Sequence, residues 1–216
     1  MRKLTLINPE IEKYAEEHCS WSEDSIAQSV RRDTDASLNY ADMLSGDQVT
    51  GLLRMLMLAK SAKQVVEVGL FTGYATNAML SALPPDGQLT ALEMNQRYLD
   101  LAVKNLQTHP RYNLLQIVPG NARETIKSLP ENLDLVFLDA DKEYYPQYYQ
   151  EIIPRLTTGG FLVIDNVFWY GGILSEDKDR KSQAIHTLNE TIRNDERVES
   201  VMLTIRDGLT VVRKLR

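Results

Sequence analysis

The run "LDLVFLDADK" stops on Asp139 and Asp141, with Lys142 directly after them, and the run "GGFLVIDNV" stops on Asp165 and Asn166. Each run is hydrophobic up to the charge. Two carboxylates and an amide oxygen (Asp139, Asp165, Asn166) form a hard, all-oxygen donor set. Such a set suits magnesium, manganese or calcium and leaves about half of an octahedral shell open. His18, His109 and His186 fall elsewhere, so the zinc pattern is not met. Taken singly, each acid is equally a helix-start carboxylate, and Lys142 a solvated loop cation. Taken together they offer a cation site with a lysine beside it. A lysine next to a metal could lose its proton and act as a base.

A second candidate lies upstream in "EVGLFTGYAT", Glu67 to Thr76. Gly69 and Gly73 allow a tight turn and a close backbone approach. Glu93 ends the next hydrophobic run and could accept both hydroxyls of a ribose. Three readings fit this segment. One is an ordinary glycine turn between a strand and a helix. Another is a dinucleotide site, but its G-x-G-x-x-G fingerprint offers bare amides to a pyrophosphate, and here Glu67 occupies the first position, where it would repel one. The third is a ligand with a ribose, no phosphate and a positive group near Glu67. S-adenosylmethionine, with its ammonium and sulfonium, is such a ligand.

These residues need a scaffold that brings strand ends together. From Lys63 onward the sequence alternates: strand "QVVEVG", helix "YATNAMLSAL", strand "GQLTALE", helix "NQRYLDLAVKNLQ", strand "YNLLQIV", short helix "ARETIKSL", strand "LDLVFLDA", helix "YYPQYYQEIIPRL", strand "GGFLVIDNV". After a polar loop, "SEDKDRKS", comes helix "QAIHTLNETIRND" and then two strands with Asp-Gly between them, a hairpin signal. Alternation of this kind predicts a doubly wound, mostly parallel sheet, with ligands at the carboxyl ends of its strands. The final hairpin adds antiparallel strands at one edge. Upstream, "PEIEKYAEEH" and residues 22–38 read as polar helices with few apolar positions. Ser45 reads as the cap of a helix through "GDQVTGLLRMLMLAK". We expect one domain, with residues 1–44 as a helical cap and 45–216 as the core. The tyrosines of "YYPQYY" read mostly as core, and Trp169 and Tyr170 as a loop above the strand ends. Those two are either packing anchors or walls for a flat aromatic substrate.

Composition narrows the classes. The 216 residues are 43% hydrophobic and 25% charged, with a formal charge of −6. No basic stripe points to nucleic acid, no apolar stretch reaches the ~20 residues of a membrane span, and the single Cys19 fits a reducing, cytoplasmic location.

In order and spacing, "EVGLFTGYAT", "ALE", "GNA", "DADKEYY", "DNVFWYGG" and "RDGLTVVRK" resemble the cation-dependent O-methyltransferases, the class I family of catechol and caffeoyl-coenzyme A O-methyltransferases. The similarity runs from about Tyr40 to the C-terminus. It implies a Rossmann-like, seven-stranded methyltransferase sheet, a homodimer, and S-adenosylmethionine with a divalent cation, magnesium first. It implies that Glu67, Gly69 and Leu70 hold the methionine part of the cofactor with Gly73 and Ala75 in the same turn, Glu93 the ribose, and Ala122 the adenine. Asp141 and Tyr148 would face the cofactor, and Asp42 would touch it through its backbone. Asp139, Asp165 and Asn166 match the metal ligands, and Lys142 the catalytic base; Asp139 counts with the catalytic and cofactor sets as well. Tyr40, Lys142, Trp169 and Tyr170 fall where the acceptor binds. Ala75 replaces the family's usual serine, and Asn121 an acid or proline. The implied reaction is methylation of one hydroxyl of a vicinal aromatic diol, such as a caffeoyl ester or flavonoid. The alternative within the same fold is methylation of a hydroxylated wobble uridine in tRNA.

Overall fold

The computed structural model describes residues 8–21, 23–38, 40 and 43–216. The strands that read as unbroken hydrophobic runs, β1 (Gln64–Val68) and β4 (Leu133–Leu138), lie at the centre of a sheet and are buried on both faces. β2 (Gln88–Glu93) and β3 (Leu115–Pro119) follow β1 on one side, and β5 (Leu156–Asp165), β7 (Leu209–Lys214) and β6 (Val198–Leu203) follow β4 on the other. The order is β3-β2-β1-β4-β5-β7-β6. β7 runs antiparallel to both of its neighbours, and the remaining pairs are parallel. The expected seven-stranded α/β sheet with a terminal hairpin is therefore present. The order reverses between β1 and β4, and open sheets of this kind bind ligands outside the carboxyl ends of the strands at that point.

Helices cover both faces. α3 (Gly46–Lys60) and α4 (Tyr74–Ala82) bury Leu53, Met57, Met79 and Leu80 against one face. α7 (Tyr145–Arg155) and α8 (Arg180–Arg193) bury Tyr149, Ile152, Ile185 and Leu188 against the other. α5 (Gln96–Leu106) and the short α6 (Ala122–Thr125) follow β2 and β3. The N-terminal helices are α1 (Pro9–Glu17), with no buried residue, and α2 (Ser25–Leu38). α2 is fastened by polar contacts. Asp24 receives the Asn77 side chain of α4, Thr34 donates to Thr72 in the glycine turn at 2.8 Å, and Lys104 of α5 reaches Asp33. No helix among the described residues is long and apolar enough to cross a membrane.

Several local expectations are corrected. Ser45 precedes α3 but makes no side-chain cap, because its backbone is helical (φ −62, ψ −24) rather than extended. α2 starts at Ser25 because Asp24 accepts from the Ile26 and Ala27 amides; Ser22 lies outside the described residues. Tyr112–Leu114 forms a 3-10 turn, so β3 is shorter than "YNLLQIV" suggests. α6 gives way to a 3-10 turn at Ile126, β5 begins at Leu156 rather than Gly159, and α8 begins at Arg180, capped by Asp179.

Candidate active site

The reversal of strand order brings the tips of β1 and β4 side by side. The Asp139 amide donates to the Val68 carbonyl at 2.9 Å. Gly69 (φ +104) lies so close that a Cβ there would sit 2.1 Å from the Asp139 carbonyl oxygen. Only glycine tolerates both that backbone and that approach. The residue thus sets the spacing between the glycine turn and the first strand-tip acid.

Glu67 points into the base of this cleft. It is 1% exposed and accepts from Thr76 Oγ1 at 2.5 Å. Burial, with Asp139 and Glu93 nearby, pushes its carboxyl well above the usual range; the Thr76 bond opposes this. Leu70, Ala75, Phe137 and Asp139 line the same recess, with Met43, Leu44 and Ser45 closing it. Next to it a cavity of about 380 Å3 runs over Gly69, Glu93, Met94, Ala122, Asp141 and Tyr148. That size suits a ligand of cofactor dimensions. A larger cavity, about 840 Å3, lies between α1 and α3. Its walls are mostly apolar, whereas the smaller one carries Glu93 and Asp141 and adjoins the recess of Glu67 and Asp139. Glu93 accepts amides from Phe71, Met94 and Asn95, which fixes its carboxylate at the cavity edge.

Beyond β4, Asp141 caps the following turn by accepting from the Glu143 amide. That turn carries Lys142 back onto the strand tip, where its Nζ lies 2.5 Å from Asp139 Oδ1. Lys142 is 7% exposed. Burial alone would lower its pKa, but the Asp139 carboxylate and Tyr145 outweigh that and hold it above the ordinary lysine value. This pairing favours the ammonium form of Lys142 over the neutral amine. Asp165, at the tip of β5, is 4% exposed. Burial, then the charge of Asp139, push its carboxyl up to about 7, against the pull of Lys142. The Asn166 amide donates to Asp165 Oδ1 at 2.7 Å, with Asn166 at φ +58. The Tyr145 hydroxyl lies 3.2 Å from the Asp165 carbonyl and 3.3 Å from that of Leu138, tying β4 to β5. No cluster of three or more His, Cys, Asp and Glu side chains suited to a metal occurs among the described residues; the set here is two carboxylates and the Asn166 amide.

Trp169 and Tyr170 follow within a 3-10 segment, at φ +47 and +53. Left-handed backbone at an aromatic residue costs about 1–3 kcal/mol, so the surroundings must impose it. Trp169 is half-buried with Lys181 over its ring, and Tyr170 is exposed. Tyr40 is half exposed, and Asp42 lies outside the described residues. Gly73 lines neither recess. It starts α4 at φ +93, and a Cβ would meet Leu106 at 2.7 Å, so it serves helix packing. Sequence reasoning missed Arg123, whose guanidinium stacks on Tyr144 and pairs with Asp141 at 3.2 Å on the cavity wall. Its only signal was its position next to Ala122.

The sequence model of the O-methyltransferase family matches residues 16–215. Caffeoyl-CoA O-methyltransferase of Populus kitakamiensis is 30% identical over 176 residues, covering 76% of this chain and 74% of that enzyme. Tricin synthase 2 of Oryza sativa subsp. japonica is 31% identical over 189 residues, covering 82% of this chain, which spans 65% of that enzyme's length. The crystal structure of the O-methyltransferase TomG from Streptomyces achromogenes, in complex with S-adenosylmethionine, superposes with a TM-score of 0.88 at 23% identity, covering 100% of both chains. The family model and the relatives identify an S-adenosylmethionine-dependent O-methyltransferase. The chain belongs to the O-methyltransferase family, in the caffeoyl-CoA O-methyltransferase-like class that the sequence motifs resemble.

Proposed function

We propose that this methyltransferase transfers a methyl group to one hydroxyl of a vicinal dihydroxy aromatic, with a divalent cation held by Asp139, Asp165 and Asn166. The observation that carries this reading is the pair of strand-tip carboxylates, Asp165 buried and Asp139 partly so. Burial and the Asp139 charge raise the cost of ionising Asp165, against the pull of Lys142 and Arg206. The carboxylates' hard oxygen donors and excess negative charge fit a doubly charged ion. A bound ion would lower the pKa of an acceptor hydroxyl beside it.

The chain's own residues supply the rest. Glu67 receives the cofactor's ammonium, and Leu70 and Ala75 pack beside the methionine part. Glu93 takes the ribose hydroxyls, and the wall from Ala122 to Tyr148 takes the adenine. Trp169 stacks on the acceptor ring, with Tyr40 and Tyr170 at the mouth. Lys142 holds its ammonium next to the acceptor oxygen and stabilises the phenolate, or takes the proton once it is neutral. The phenolate oxygen attacks the sulfonium methyl carbon in line as the carbon–sulfur bond breaks. Positioning of that pair is worth up to ~7–11 kcal/mol. The expected homodimer is checked by light scattering, as twice the chain mass.

The test is a methyl-transfer panel of catechols, their mono-hydroxy analogues and a hydroxyuridine-containing tRNA, with and without EDTA. Vicinal diols should react, EDTA should abolish the reaction, and magnesium should restore it. Full activity in chelator rejects the cation, and turnover of tRNA alone rejects the diol. Glu67 gives a separate prediction. Glu67→Gln should weaken cofactor binding roughly 10–100-fold, the loss of a hydrogen bond to a charged group. In the wild type, affinity should rise with pH as the elevated Glu67 carboxyl ionises. Calorimetry showing equal affinity in both proteins would remove Glu67 from the cofactor site.

A further inference from the structure

The turn between β6 and β7 makes contacts that a simple hairpin does not need. β7 pairs with β5 so that Leu209 lies opposite Asp165. The pairing then continues past the strand end: the Val167 amide donates to the Gly208 carbonyl at 3.2 Å, and the Phe168 amide to the Asp207 carbonyl at 3.0 Å. The Asp207 side chain extends it further by accepting from the Tyr170 amide at 2.6 Å. Gly208 (φ +86) packs on Phe168, whose ring would lie 2.3 Å from any Cβ there. The neighbouring residue reaches the other way. Arg206, itself at φ +50, donates from Nη1 to the Leu44 carbonyl, 162 positions away in the chain. Gly46 leaves room for that guanidinium, since a Cβ would stand 2.8 Å from Nη1. Leu44 and Ser45 close the recess over Glu67, and Tyr170 belongs to the loop that starts at Asn166.

We propose that Arg206 and Asp207 are positioning residues: one turn clamps the segment that closes the cofactor recess with one side chain and the acceptor-side loop with the next. The backbone at Asn166, Trp169 and Tyr170 is left-handed, and Asp207 is the anchor that holds it there. Arg206 fixes the entry to α3 in register with that loop. The acceptor half of the inference rests on the reading of Trp169 and Tyr170 given above; the cofactor half does not.

Four variants test it: Arg206→Ala, Arg206→Lys, Asp207→Ala and Asp207→Asn. Three quantities are read: S-adenosylhomocysteine affinity by calorimetry, KM for a diol that the wild type methylates, and amide hydrogen exchange. Arg206→Ala should weaken S-adenosylhomocysteine about tenfold and speed exchange in residues 43–53, as expected for one lost hydrogen bond to a charged donor. Exchange in 166–174 should stay as in the wild type. Asp207→Ala should raise the diol KM about tenfold and speed exchange in 166–174, with S-adenosylhomocysteine affinity within about twofold. Arg206→Lys keeps a donor and Asp207→Asn keeps an acceptor, so each should recover most of its loss. Unchanged constants and exchange overturn the inference. So does equal loosening of both segments by either alanine variant, because that is the signature of general destabilisation. If the wild type methylates no diol, the acceptor reading falls, and exchange with S-adenosylhomocysteine binding still decides the clamp.

Discussion

Replacing Lys142 by alanine is expected to cut kcat by about 10²–10⁴-fold, the usual range for a positioned acid–base group. S-adenosylmethionine affinity should stay within about threefold, because the lysine does not line the Glu67 recess. The two possible roles separate on one further variant. If the ammonium acts by its charge on the phenolate, Lys142→Arg keeps that charge and recovers part of the rate. If the lysine acts as a base, arginine stays as inactive as alanine, since a guanidinium does not give up its proton. The geometry favours the first role while Asp139 pairs with the ammonium at 2.5 Å. Breaking a buried ion pair also destabilises the fold, by roughly 3–5 kcal/mol, so retained cofactor binding is the control for folding. An alanine variant with wild-type kcat would remove Lys142 from the reaction.

Asp165 gives the second large effect, in two measurements. Asp165→Ala is expected to lower kcat at least about 100-fold without a matching loss of cofactor affinity. Its stability effect has a defined sign. The folded-state pKa of about 7 lies above the ordinary carboxylate value. Between about pH 4 and pH 7 the unfolded chain has released this proton and the folded chain has kept it. Stability therefore falls as pH rises through that window and levels off above it. Asp165→Asn removes this dependence. Without divalent cations it should be more stable than the wild type at pH 8, by on the order of 4 kcal/mol as an upper bound, with the gap largely closed at pH 4.5. Added magnesium should raise the wild-type Tm at pH 8 and leave that of Asp165→Asn unmoved. A wild-type Tm that rises from pH 4 to 7 in EDTA relative to the variant would contradict the burial argument.

The parts of this site that were legible are those written in local pattern. Unbroken hydrophobic runs marked β1, β4 and β5 as buried parallel strands, and parallel strands place their carboxyl ends on one edge. That suffices to group Asp139, Asp165 and Asn166. Gly69 was legible as a turn residue. Side-chain directions and long-range partners were not legible. Gly73 resembles its neighbour glycine in sequence yet faces Leu106. Ser45 has the right residue type for a cap and the wrong backbone. Lys142 reads as a base from its type and position, while its pairing with Asp139 is visible only in the fold. Arg206 and Asp207 sit in a hairpin signal, but their partners, Leu44 and Tyr170, are set by tertiary packing. The attachment of α2 through Thr34 and Thr72 has no local signature either.

The most direct test is an anomalous difference map from crystals grown with manganese, S-adenosylhomocysteine and a catechol. The account predicts one strong peak within about 2.3 Å of an oxygen from each of Asp139, Asp165 and Asn166, with both catechol oxygens on the same ion. A map with no peak there, and the catechol bound with its hydroxyls away from these three side chains, would contradict it.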